Sequence, residues 1–218
     1  MFELFRTSYA YYLANQDRFW MELGRHVVLS GSALAISLIV CIPLGIWAAR
    51  HPASAQYVIN AVGALRLIPS LAILFLALPY LGTGFGPALI ALTILALPPV
   101  LINVYAGILG VERAVVEAAQ AMGMTARQQL LQIELPLALP AIIAGVRTAT
   151  VEVVSSATLA AFIGGGGLGI FVTRGFALFE PRIMLVGAIP VAVLALICEL
   201  ILGLLERWAS PHRQGRAS

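Results

Sequence analysis

Five long apolar runs, each nearly free of charge, constrain this chain more than any other feature. They cover residues 26–49, 57–81, 87–110, 137–163 and 183–205. Each reaches the roughly 20 residues needed to cross about 30 Å of hydrocarbon at 1.5 Å per residue. Inside a bilayer no water satisfies the backbone, so such a run must close its own hydrogen bonds as a helix. The expected fold is therefore all-α, a polytopic membrane protein with five spans. Only 11% of the chain is charged and 61% is hydrophobic, whereas a soluble domain carries about 25% charged residues. Residues 1–25 hold Glu3, Arg6, Asp17, Arg18, Glu22 and Arg25 and lack a small-residue cleavage site, which predicts a retained polar or interfacial segment. Residues 26–207 then form the membrane domain, and 208–218 form a polar tail.

The charges exclude several functions. All 13 cationic residues are Arg, and a P-loop needs Lys to reach the nucleotide phosphates, so no standard ATPase site is expected. A net charge of +3, scattered along the chain, does not suit nucleic-acid binding. Cys41 and Cys198 lie in apolar runs and read as small core residues. The histidines, His26, His51 and His212, lie at span edges or in the tail, and no metal or paired-carboxylate motif accompanies them. No catalytic residue and no metal site is expected. Gly164, Gly166 and Gly169 satisfy a literal G-x-G-x-x-G, but they follow an apolar helical run rather than a strand. They read as a bend at the far end of the fourth span, where backbones approach closely or a gate hinges.

The one long polar connection, 111–136, is rich in helix formers. Gly123 suits the residue just past a first short helix, where the chain turns through positive φ. Thr125 with Gln128 predicts a capping box opening a second, and Pro136 is expected to separate that helix from the fourth span. Local physics describes an interfacial helix pair joining two spans. The spacing is more specific. Glu117-Ala118-Ala119, then three residues, Gly123, nine residues, and Ile133-x-Leu135-Pro136 resembles the signature loop of permease subunits of binding-protein-dependent ABC importers. Ile68-Pro69-Ser70-Leu71-Ala72 and the stretch from Ala157 to Gly169 are similar to segments of the osmoprotectant permeases, which import glycine betaine, choline and carnitine.

The resemblance implies a five-span core of the methionine-importer type. It also implies that loop 111–136 docks on a separate ATPase through Glu117, Ala118, Ala119, Gly123, Ile133, Leu135 and Pro136. Loop and C-terminal tail would be cytoplasmic and the N-terminus outside, in the inner membrane. Partners would be ABC ATPase subunits, which hold the ATP and Mg, a second permease subunit of the same or a related chain, and an extracytoplasmic binding protein. No cofactor is expected in this chain. An ABC permease for another small solute such as an amino acid, or a subunit of a gradient-driven transporter, stays open beside this reading.

Ionisable groups within spans are costly and face the bundle interior or a wet cavity. Arg66, Arg147, Glu152 and Glu199 are the candidates. Counting residues puts Arg66 and Arg147 roughly 15 Å into their spans. Glu199 is expected to pair with Arg147 or Arg66. Glu152 is expected on a different face from Arg147, lining a pathway or making a helix–helix hydrogen bond.

Overall fold

The computed structural model describes residues 2–210, and these are helical nearly throughout, with no strand among them. In order they form α1 (Phe2–Ala14), α2 (Gln16–Arg50), α3 (Pro52–Ala64), α4 (Ser70–Leu81) and α5 (Phe85–Leu109). Then follow α6 (Arg113–Ala121), α7 (Ala126–Gln129), α8 (Leu135–Ser156), α9 (Gly169–Ala177) and α10 (Pro181–Trp208). Four helices are long and apolar enough to cross a membrane: α2, α5, the run Ala126–Ser156 and α10. A fifth crossing comes from α3 and α4 taken together.

That fifth crossing corrects the expected span 57–81. Its two arms meet at 95°. Pro69 disfavours helical geometry at the residue before it, and Ile68 is extended (φ −86°, ψ 120°). Arg66 therefore sits on a single 3-10 turn, Leu65–Leu67, beside the break and not deep within a continuous helix. With 12 residues, α4 rises only about 18 Å and cannot cross the hydrocarbon alone.

Two further boundaries differ from expectation. Residues 1–25 are not one segment: α1 ends at Ala14, and residues 16–25 are the first turns of α2 itself. Pro136 does not separate the second short helix from the fourth span. A π turn, Leu130–Glu134, joins α7 to α8, and the Leu135 N–H reaches back to the Leu130 carbonyl. Pro136 follows in the first turn of α8, where its missing N–H is tolerated. The result is one 31-residue helical run, Ala126–Ser156. Of the tail, residues 211–218 lie outside the described residues.

Small residues bring the central helices together, as expected where lipid gives no hydrophobic force between them. α5 packs between α2 and α8, and α10 lies against α8, α9 and α1. A Cβ at Gly145 of α8 would lie 2.5 Å from Asn103 Cβ and 2.8 Å from the Pro99 carbonyl oxygen of α5. Gly45 of α2 meets Val104 in the same way. The outer face inverts the soluble pattern: Leu196, Leu200, Ile201 and Leu204 of α10 are all exposed.

Candidate functional site

The connection between α5 and α8 is built by local capping. At the end of α6 the Gly123 N–H donates to the Gln120 carbonyl at 2.9 Å and the Met124 N–H to the Ala119 carbonyl at 3.1 Å. These two bonds make a Schellman motif, with Gly123 in the left-handed region at φ +80°. The next helix opens with the capping box the sequence predicts. The Thr125 N–H donates to Gln128 Oε1 at 2.8 Å and the Gln128 N–H to Thr125 Oγ1 at 3.4 Å. α6 packs mainly against α7 and leaves its flank open. Glu117, Ala118, Gly123 and Pro136 are exposed, Ile133 and Leu135 are half-buried, and Ala119 is buried. Val115, Met122 and Leu131 add exposed apolar side chains around the same connection. Arg113 holds the Glu117 carboxylate at 2.9 Å, one helical turn away.

One tie between this segment and the bundle has no local signal in the sequence. Arg50, the last residue of α2, donates to Glu134 Oε2 at 2.8 Å and to the Ala126 carbonyl at 3.4 Å. The Glu134 side chain is only 12% exposed, so the pair lies between the surface and buried limits. Its loss should cost about 1–2 kcal/mol after allowance for solvent screening. Arg50→Ala is therefore expected to lower the thermal unfolding midpoint in detergent, and exchanging the two charges (Arg50→Glu with Glu134→Arg) to recover at least half of the loss. An unchanged midpoint in Arg50→Ala would show that the pair contributes nothing.

The charges within spans gather about two cavities. Arg147 lies 2.6 Å from Glu199 and 2.8 Å from Glu206, joining α8 to α10. Glu199 thus pairs with Arg147 and not with Arg66. Glu206, not among the predicted charges, follows Glu199 by two helical turns, a spacing that puts both on one face. These three residues line a cavity of about 630 Å³ together with Thr148, Glu152 and Ser155. Arg147 and Glu152 stand about 140° apart around α8, five residues at about 100° each, and the cavity is wide enough to take in both. A second cavity, about 180 Å³, is lined by Arg66, Ser70, Glu152 and Ser156. Glu152 belongs to both walls.

The glycine-rich loop after α8 packs closely against α2. The Gly167 N–H donates to the buried Glu22 carboxylate at 2.7 Å, and His26 Nε2 donates to the Val154 carbonyl at 3.0 Å. Gly164 and Gly166 take positive φ, and a Cβ at Gly169 would overlap the Thr158 carbonyl oxygen. Close backbone approach accounts for Gly169, and left-handed backbone for Gly164 and Gly166. The contacts of Glu22 and His26 have no local signal in the sequence, since their partners lie more than a hundred residues away along the chain.

Comparison with known proteins agrees with this architecture. Residues 41–211 match the family described as binding-protein-dependent transport system inner membrane component. The carnitine transport permease protein OpuCB of Listeria monocytogenes is 41% identical over 201 residues, covering 92% of each chain. The glycine betaine/carnitine/choline transport system permease protein OpuCB of Bacillus subtilis (strain 168) is 42% identical, covering 87% of this chain and 88% of the relative. The choline transport system permease protein OpuBB of the same organism is 40% identical, with coverage of 85% and 86%. Among solved structures, an inward-facing MetNI methionine ABC transporter chain superposes with a TM-score of 0.81 at 20% identity, covering 89% of this chain and 97% of that one. That likeness speaks to the fold, which is of the methionine-importer type. The family match spans most of the sequence, and the chain belongs to the binding-protein-dependent transport system inner membrane components as a multi-pass permease subunit.

Proposed function

We propose that this chain is the membrane-spanning subunit of an ATP-driven importer of osmoprotectants, small quaternary ammonium solutes such as glycine betaine, choline and carnitine. The observation that carries the reading is the set of relatives named for carnitine, glycine betaine and choline transport, which align over 85% or more of this chain. The open flank of α6 supports a docked partner, since Val115 and Met122 remain exposed there beside Glu117.

In this scheme the energy enters from another polypeptide. ATP and Mg sit on a separate ATPase subunit, whose groove takes α6 with Glu117 at the contact. Gly123 sets the turn, and Ile133, Leu135 and Pro136 anchor the segment to α8. Closure of the ATPase pair moves α6, and α8 carries the movement to the cavity beside Arg147 and Glu152. The connection 111–136 and the C-terminus face the cytoplasm, and the N-terminus faces outward. Two permease subunits, identical or related, complete the pathway, and an extracytoplasmic binding protein delivers the solute. Gly164, Gly166 and Gly169 belong to the outward end, where close packing on α2 suits a closed gate.

Co-expression with an ATPase and a binding protein from the same genome tests this directly. The ATPase should co-purify with the permease, and proteoliposomes should take up labelled glycine betaine, carnitine or choline only when ATP is present inside and binding protein outside. Uptake driven by an ion gradient without ATP would overturn the mechanism. ATP-dependent uptake of another solute in place of all three would overturn the substrate class.

A further inference from the structure

We propose that Arg66 and Glu152 form the two ends of a transit site for a zwitterion, with the carboxylate of the solute at Arg66 and its quaternary ammonium at Glu152. This rests on the osmoprotectant reading above and goes further by assigning the site. Of the four charges predicted within spans, two neutralise each other: the Arg147 guanidinium is already held by Glu199, and by Glu206 besides. The other two are different. Among the described residues neither Arg66 nor Glu152 has an ion-pair or hydrogen-bond partner, yet both line the same cavity of about 180 Å³. They arrive from separate elements, Arg66 from the 3-10 turn between α3 and α4 and Glu152 from α8.

Arg66 is exposed on its turn and Glu152 half-buried on α8, and an ionisable group kept unpaired within the membrane domain marks a wet cavity or a ligand pathway. Opposite charges that share a cavity without touching are complementary to a molecule that carries both signs. The rest of the lining suits one with methylated nitrogen. Leu65, Leu95 and Pro98 give apolar wall against methyl groups, while Ser70 and Ser156 offer hydroxyls that can donate to a carboxylate. Among the described residues no aromatic ring lines this cavity or the larger one that Glu152 also borders. Without a cation–π cage the ammonium is held by charge alone, which suits a site that must release its solute at every cycle. Glu152 opens onto both cavities, so a solute leaving Arg66 stays beside a carboxylate as it passes to the larger, acidic one.

The test is uptake by the complete transporter, reconstituted with its ATPase and binding protein, using labelled glycine betaine and choline; choline carries the ammonium but no carboxylate. Arg66→Gln should lower the betaine-to-choline uptake ratio at least tenfold, and Arg66→Lys should keep the ratio within about threefold of wild type. Glu152→Gln should lower uptake of both solutes and leave the ratio nearly unchanged. If the wild-type transporter takes betaine but no choline, the readout becomes KM for betaine, expected to rise at least tenfold in Arg66→Gln and to return in Arg66→Lys. An Arg66→Gln variant that leaves the ratio or KM unchanged, or an unaffected Glu152→Gln, would overturn the assignment. So would a wild-type transporter that carries choline and no zwitterion, while the osmoprotectant reading would survive. Failure of the wild type to carry any quaternary ammonium solute would remove both.

Discussion

Replacing Gly123 with valine is expected to cut ATP-driven uptake at least tenfold while the chain still folds and inserts. The position is at φ +80° and has nothing within 4 Å of where a Cβ would stand, so the difficulty is conformational and not steric crowding. A β-branched residue in the left-handed region is a genuine outlier, and holding it there costs about 1–3 kcal/mol. The least expensive escape is to abandon the Schellman turn. That would release the Gln120 and Ala119 carbonyls and re-aim α6 relative to α7, so that Glu117 no longer meets its partner. The spans are untouched because α6 lies outside them and the turn at Gly123 precedes the run Ala126–Ser156. Gly123→Asn is the informative control: asparagine adopts the left-handed conformation readily, and this variant should retain most of the uptake. Uptake assays paired with ATPase co-purification separate the outcomes, and normal uptake in the valine variant would refute the coupling role.

The second large effect is expected at Gly169. Alanine there is the smallest possible change, yet its methyl group would overlap the backbone of Thr158, with the carbonyl carbon at 2.7 Å and Cα at 2.8 Å. Backbone cannot swing aside as a side chain can, so the loop after α8 must shift against α2, where Gly167 and Glu22 are bonded. A destabilisation of about 3 kcal/mol is expected, at the upper end for overpacking by one methyl group. It should appear as a fall in the detergent unfolding midpoint and in the yield of inserted protein. Gly63→Ala provides the contrast, since the helical Gly63 has open space around it. Alanine there should be neutral or stabilising by up to about 1 kcal/mol. Equal midpoints for the two variants would show that the loop is looser than its packing indicates.

Which features were legible in the sequence follows from the range of the forces involved. Apolar runs report burial in lipid residue by residue, so the spans could be read directly. Gly123, Thr125 and Gln128 act within one or two turns, so the caps could be read as well. Pro69 disfavours helix at Ile68 by a local rule, but the size of the bend depends on how α3 and α4 pack on α5 and has no local code. Arg147 with Glu199 was accessible because buried charges must find partners and candidates were few. Arg50 with Glu134 was not, since both residues sit near the ends of apolar segments where a charge is ordinary. The π turn escaped for a related reason: Leu130 to Glu134 is an unremarkable helical sequence, and only Pro136 hints that the ladder is altered there. Glu152 was noticed for its charge, but its relation to Arg66 depends on the bend that brings α3 and α4 to its side.

The π turn has a consequence for angular phase. A π turn takes in one residue more than an α turn, and each residue of an α-helix advances the azimuth by about 100°. The faces of α8 that carry Arg147 and Glu152 are therefore rotated, relative to α7, from where an uninterrupted α-helix would put them. Pro136 keeps the offset from being annealed away, because a regular ladder would require from it an N–H donor toward the Gln132 carbonyl that proline lacks. The segment after Gly123 thus acts as a phase setter: it determines which azimuth of a rigid shaft looks into the cavity when its other end is turned.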